Sequence, residues 1–266
     1  MDNRPIGVFD SGLGGLTTVA ELQRLLPEER VIYIGDTART PYGSKSPETI
    51  KKFAGQIVDY LIRHNVKMII IACNTATAIA LDDLRKKYPA VPIIGVIEPT
   101  VKKVVNDGCT KVGVIATKAT VSSDVYGKEL RAMAPDIEVH STACPAIVPL
   151  IEEGLTDTKI MELTVQHYLD SFVKDHDFEH LILGCTHYPL VAGHIHKLYP
   201  GLKLYSSSEE VVNEAAEILR ERDMLASGSE FKDRYYASDI SDNFIAMVDM
   251  LFKDTDFKIH LLMLEE

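Results

Sequence analysis

Two cysteines stand in matching local settings. Cys73 follows Ile69-Ile70-Ile71-Ala72, and Cys185 follows Leu181-Ile182-Leu183-Gly184. Each apolar run reads as a short buried strand. Each cysteine is followed by small polar residues that open a helical pattern, Asn74-Thr75-Ala76-Thr77 and Thr186-His187-Tyr188-Pro189. A thiolate on one face of a carbon acid can take its proton, and a thiol on the other face can return one. Two sulfurs facing each other across one pocket would therefore invert a stereocentre. A helix N-terminus lowers a cysteine pKa from its usual value of about 8.5, so both positions are expected to favour thiolate. Inert burial is the bland alternative for any cysteine, and the repeated placement argues against it. Cys109 and Cys144 lack such a setting and read as structural.

The surrounding elements alternate between strand and helix. Strands are expected at 6–10, 31–35, 68–72 and 92–97, with helices at 16–26, 47–64 and 74–88. Ser46 caps the second helix and Pro47 fills its first position. The pattern then restarts, because Val112-Gly113-Val114-Ile115-Ala116-Thr117 resembles Ile6-Gly7-Val8-Phe9-Asp10-Ser11. A helix from Ser122 and a strand at 137–141 follow. Residues 144–154 read as a proline-punctuated loop. A helix at 157–174 leads to the second cysteine strand, then a helix at 190–199 and a strand at 202–205. A helix at 209–222, a strand near Tyr235 and a helix at 240–252 close the chain. This predicts an α/β fold of two pseudo-symmetric Rossmann-like lobes with mainly parallel sheets. Residues 1–98 plus 207–266 would form one lobe and 99–206 the other, with linkers near Glu98-Pro99 and Ser206-Ser207-Ser208.

In open parallel sheets ligands sit beyond the carboxyl ends of the strands. Asp10, Cys73, Thr117 and Cys185 all fall at such ends, so the active site is expected in the cleft between the lobes. The helix starts that follow offer free N–H groups and a positive dipole end, which suits carboxylates. Ser11, Asn74, Thr75, Thr186 and Tyr42 would be neutral donors to them. Other readings remain open at this point. Asp10 could cap a helix, His187 could be an ordinary hydrogen-bonded histidine, and Glu152 beside Glu153 looks like surface charge. Ser11-Gly12-Leu13-Gly14-Gly15 could be a phosphate loop, though it lacks the usual lysine. Cys185 and His187 with Asp10 or Cys73 could ligate a metal, though the spacing lacks the paired-ligand signature.

The chain has 266 residues, 46% hydrophobic and 25% charged, with a formal net charge of -11. That is the composition of an ordinary globular protein with ample core. The acidic balance argues against a nucleic-acid partner, and no apolar run approaches the roughly 18 residues of a membrane span. The first residues carry no apolar export signal, so the expected location is cytoplasmic. The separation of the four cysteines argues against a disulfide framework.

The motifs together resemble those of the bacterial glutamate racemases, within the aspartate/glutamate racemase superfamily. They are Gly7-Val8-Phe9-Asp10-Ser11-Gly12-Leu13-Gly14-Gly15, Gly35-Asp36-Thr37-Ala38-Arg39, Pro41-Tyr42-Gly43, Ala72-Cys73-Asn74-Thr75-Ala76, Val148-Pro149-Leu150-Ile151-Glu152-Glu153-Gly154 and Leu183-Gly184-Cys185-Thr186-His187-Tyr188-Pro189. The resemblance implies interconversion of L- and D-glutamate, with D-glutamate going to peptidoglycan, and with no cofactor and no metal. It implies that Cys73 deprotonates D-glutamate with help from Asp10. Cys185 would deprotonate L-glutamate with help from His187 and Glu152. Asp10, Ser11, Tyr42, Gly43, Asn74, Thr75, Thr186 and His187 would contact substrate, and Thr117 and Thr120 would lie near its carboxylate. A homodimer is implied as well. Some relatives carry an N-terminal extension tied to activation by a cell-wall precursor. Here the first strand begins near residue 6, so no such control is expected. The rival readings are a relative acting on aspartate, hydantoins or arylmalonates, and a two-lobed amino-acid-binding protein.

Overall fold

A computed structural model describes residues 1–228, 232–252 and 258–264. Among these residues, ten strands form two parallel sheets. The larger sheet contains β1 (Ile6–Asp10), β2 (Val31–Gly35), β3 (Met68–Ile71), β4 (Ile93–Gly95), β9 (Arg234–Ala237) and β10 (Ile259–Leu261), in the order β10-β9-β2-β1-β3-β4. The smaller contains β5 (Lys111–Ala116), β6 (Glu138–Ala143), β7 (His180–Gly184) and β8 (Lys203–Ser206), in the order β6-β5-β7-β8. The order β2-β1-β3-β4 repeats as β6-β5-β7-β8. The internal repeat legible in the sequence is thus a repeat of topology, and it makes β3 and β7, the two strands that precede the cysteines, equivalent.

Strand composition explains the sheets. Val31 to Ile34 and Met68 to Ile71 are buried on both faces, as parallel strands under two helical layers must be. Alternation divides them between two cores. Ile6, Val8, Val31, Tyr33, Met68 and Ile70 face one core, and Phe9, Ile32, Ile34, Ile69 and Ile71 the other. The second core is closed by α2 (Pro47–Arg63) and α3 (Asn74–Lys87). The first is covered by α1 (Leu16–Leu25) and α10 (Ser207–Glu221) and runs without interruption into the core of the smaller sheet. Ser46 caps α2 as read from sequence, its Oγ accepting from Thr49 N at 3.3 Å; the helix expected at 157–174 begins at a cap not read there, Thr158, whose Oγ1 accepts from Met161 N at 3.3 Å.

Five local expectations need correction. Glu98-Pro99 is not an irregular segment but lies in the first turn of α4 (Ile97–Asn106), where proline costs nothing because its missing N–H has no partner there anyway. Ser206-Ser207-Ser208 is not a loop either, since β8 passes directly into α10. The loop at 144–154 contains α7 (Ile147–Glu152). The single helix from Ser122 is two, α5 (Lys118–Ser123) and α6 (Val125–Met133), broken at Asp124 with φ 50. Finally, β10 was not expected at all. Among the described residues no helix is long and apolar enough to cross a membrane.

Candidate active site

Both cysteines are buried, 5% exposed at Cys73 and 7% at Cys185. Cys73 directly precedes α3, and Ala76 N donates to its Sγ at 3.4 Å. Its thiol donates to Ser11 Oγ at 3.5 Å. Ser11 belongs to the turn after β1, so the end of the central strand lies against the first cysteine. Asp10, the last residue of β1, is fully buried. Its Oδ2 accepts from Gly12 N at 3.0 Å and its Oδ1 from Thr186 Oγ1 at 3.4 Å. It therefore closes its own turn and reaches the Cys185 loop. It does not cap α1, whose N-cap is Gly15.

The glycines of this turn serve close packing. A Cβ on Gly14 would lie 2.7 Å from His187 Nδ1 and 2.9 Å from Thr186 Cβ, and one on Gly15 would overlap Asp10 Cβ. The Ser11–Gly15 stretch, weighed above as a phosphate loop, is thus the face on which the Cys185 loop rests.

The reciprocal contact is made by hydroxyls. Thr117, at the end of β5, caps α5 and lies 3.0 Å from Thr75 of the Cys73 loop, oxygen to oxygen. Thr120 Oγ1 lies 3.1 Å from Thr117 Oγ1 and 3.4 Å from Thr75 Oγ1. The first turn of each half thus meets the cysteine loop of the other half. Three neutral hydroxyls thus cluster at the starts of α3 and α5. Gly43 lets the Tyr42 turn approach, because a Cβ there would sit 2.8 Å from Thr117 Cβ. Tyr42 itself is buried and its hydroxyl donates to Asp36. That bond commits the hydroxyl expected as a substrate donor. Arg39 is committed too: its Nε donates to Asp36, its Nη1 to Gln56, and its guanidinium lies 4.0 Å from the Phe53 ring centroid.

On the second cysteine, His187 Nδ1 lies 3.8 Å from Cys185 Sγ. His187 Nε2 lies 3.2 Å from Glu152 Oε1, close enough for an ion pair, though the two atoms are not aligned as a hydrogen bond. Glu152 comes from α7, the helix missed in the sequence, which turns it inward while Glu153 is exposed.

The two sides differ in charge. Burial pushes the Cys73 thiol up to about 12, and the Asp10 carboxylate adds to the rise. Ser11 and Ala76 pull the other way, and burial wins over the helix N-terminus. The expectation of a thiolate at Cys73 is therefore reversed. Burial also raises Asp10, against the charge of His187 and the N–H groups of Gly15, Gly12 and Ser11. His187 is opposed by burial, yet its contacts with Cys185 and Glu152 outweigh it and raise the imidazole to about 10. The Cys73 side thus pairs a neutral thiol with an acid, and the Cys185 side places an imidazolium beside its sulfur.

Sequence reasoning missed Tyr126, whose hydroxyl donates to Asn74 Oδ1 at 2.6 Å, and Ser207, whose Oγ accepts from Asn74 Nδ2 at 3.3 Å. Neither lies in a motif, and only the tertiary fold brings them to Asn74. Among the described residues no group of three or more His, Cys, Asp or Glu could hold a metal ion.

The two cysteine loops thus occupy equivalent places in the two halves, each packed against the first turn of the other half. The sequence profile of the Asp/Glu/Hydantoin racemase family matches residues 15–215. A glutamate racemase of Geobacter metallireducens is 42% identical over 247 residues, 91% of this chain and 90% of that protein. The crystal structure of glutamate racemase from Francisella tularensis subsp. tularensis SCHU S4 in complex with D-glutamate superposes with a TM-score of 0.93 at 42% identity, covering 100% of this chain and 99% of that one. The Escherichia coli glutamate racemase in complex with L-glutamate and the activator UDP-MurNAc-ala gives 0.77 at 26% identity, over 93% and 94% of the two chains. This chain belongs to the Asp/Glu/Hydantoin racemase family.

Proposed function

We propose that this chain racemises glutamate with Cys73 and Cys185 as its two proton-transfer groups and with no cofactor. The observation that carries the reading is the placement of both cysteines at equivalent ends of β3 and β7, with each half's first turn packed on the other half's cysteine loop. The racemases it resembles, one bound to D-glutamate and one to L-glutamate, support glutamate as the substrate.

With L-glutamate bound, Cys185 Sγ as thiolate takes the Cα proton. The electron pair of the broken C–H bond stays on Cα and spreads into the adjacent carboxylate. The Cys73 thiol then delivers its proton to the opposite face, giving D-glutamate and leaving Cys73 as thiolate and Cys185 as thiol. Starting from D-glutamate, the same steps run in reverse. A protonated Cys73 is the form required of the donor in the L-to-D direction. Asp10 stands behind the Cys73 side. The imidazolium of His187, backed by Glu152, stands behind the Cys185 side. The hydroxyls of Thr75, Thr117 and Thr120, with Ser11, Asn74, Thr186 and the Tyr42-Gly43 turn, hold the carboxylates without a cation.

In this reading residues 1–98 with 207–266 form one lobe and 99–206 the other, and the protein works as a cytoplasmic homodimer that supplies D-glutamate to peptidoglycan. Purified protein free of pyridoxal phosphate, given L- or D-glutamate, should drive the circular-dichroism signal to zero from either side. Cys73→Ala and Cys185→Ala should each abolish this. An unchanged signal with wild type, or full activity in either variant, overturns the reading, and a panel including aspartate tests the substrate.

A further inference from the structure

Asn74, the residue after Cys73, is only 2% exposed and its side chain is held from two directions. From one side comes Tyr126 of α6, whose Oη donates to Asn74 Oδ1 at 2.6 Å. On the other is Ser207, the first residue of α10, whose Oγ accepts from Asn74 Nδ2 at 3.3 Å. Tyr126 is itself 2% exposed. Its ring rests against the residue before Cys185, since a Cβ on Gly184 would lie 3.1 Å from Tyr126 Cε2. One phenol therefore touches the strand that ends in one cysteine and bonds the residue that follows the other. Burial pushes this phenol above its usual value, so the hydroxyl remains a neutral donor.

We propose that Tyr126 is a positioning residue for substrate binding: it fixes the Asn74 amide in place as a donor to the substrate carboxylate. The inference rests on the glutamate racemase reading above. With Oδ1 bonded to Tyr126 and one Nδ2 hydrogen bonded to Ser207, the amide plane is set and one Nδ2 hydrogen is left for a ligand. Without the phenol oxygen the amide rotates and Oδ1 can turn toward the anion. A carboxylate carries a full charge before the proton moves and gains only part of another as the electron pair spreads into it. Losing a donor to it therefore acts mainly on binding and raises KM more than it lowers kcat.

Tyr126→Phe keeps the ring against Gly184 and removes only the hydroxyl. The expected result is a KM raised about tenfold for both L- and D-glutamate, the scale of one lost hydrogen bond, with kcat changed by less than about threefold. Ser207→Ala provides a second variant that leaves the ring untouched, and it should raise KM in the same sense. Thermal melting and active-site titration count the folded enzyme, so a purely structural defect would appear as a lower Tm or lower active fraction at unchanged KM. A KM within about twofold of wild type in both variants, or a fall in kcat with KM unchanged, overturns the role of Tyr126. Wild type is assayed alongside. If wild type does not racemise glutamate, the parent reading fails; if it does and the variants match it, only the Tyr126 inference fails.

Discussion

Replacing Glu152 with Gln removes one negative charge 3.2 Å from His187 Nε2 and keeps the side-chain shape. At that separation and an effective dielectric of about 20, two unit charges attract by roughly 5 kcal/mol. Glu152 has 25% of its side chain exposed, so solvent screens the pair and about 1–3 kcal/mol is the expected loss. That corresponds to roughly one to two pH units in the His187 pKa, downward from about 10. The imidazolium opposite Cys185 would then be lost at lower pH. The alkaline limb of kcat/KM should move down by one to two units in Glu152→Gln, with the acid limb nearly fixed. The substrate's own ammonium group titrates identically in both profiles, so only the difference between enzymes counts. Either direction serves for the assay, because mirror-image substrates have equal free energies in water and kcat/KM must match in the two directions. An alkaline limb that does not move refutes the claim that Glu152 holds the proton on His187. The same shift has a stability sign. A pKa raised from 6.5 to about 10 contributes stability fully below pH 6.5, and that contribution fades as pH rises through about 10. Wild type should therefore lose more Tm than Glu152→Gln between pH 7 and pH 10.5.

Gly14→Ala forces a methyl to within 2.7 Å of His187 Nδ1, so the Cys185 loop must shift. Overpacking of this kind costs about 1–3 kcal/mol, and racemisation should fall by at least tenfold with a modest drop in Tm; unchanged kcat would contradict the packing of the turn on that loop. Lys67→Met leaves Glu29, whose carboxylate lies 2.6 Å from Lys67 Nζ and whose side chain is 2% exposed, buried without its partner. Lys67 Nζ also donates to the carbonyls of Asp2 and Met224 at 2.7 Å, far from the cysteines. Unfolding in urea should show a loss of about 3–5 kcal/mol with KM unchanged, and a loss below about 1 kcal/mol would mean the pair is dispensable.

Much of this architecture is written in the sequence because its signals are local. Runs such as Met68-Ile69-Ile70-Ile71, short, rich in β-branched residues and followed by helix-start residues, read as buried strands, and the small polar residues after Cys73 and Cys185 mark helix starts. Proline misled twice. Pro99 sits in the first turn of α4, and the burial of Ile97, Thr100, Val101 and Val104 follows helical spacing that was legible beneath it. Pro149 lies within α7, a helix of six residues, too short for periodicity to show. The strand β10 has three residues, two of them exposed, so it carries no apolar pattern. At the site, residues in turns next to the cysteines were accessible to reasoning from spacing. Glu152 was identified only through family resemblance, because its neighbour Glu153 makes the pair look like solvated charge. Tyr126 was invisible, since its importance lies in a bond across the two halves that no local rule encodes. The Cys73 thiol shows the converse limit: the helix N-terminus was legible, but the depth of burial that outweighs it was not.

The central claim is that two sulfurs work from opposite faces of one carbon. Its most direct test is racemisation of L-glutamate in deuterium oxide, stopped at low conversion, with isotope content read separately in the two enantiomers. Two opposed groups, each exchanging its own proton with solvent, place deuterium at Cα of every D-glutamate formed while the remaining L-glutamate keeps its protium. D-glutamate that retains protium, or L-glutamate that gains deuterium as fast as D-glutamate appears, would contradict two-sided proton transfer by Cys73 and Cys185.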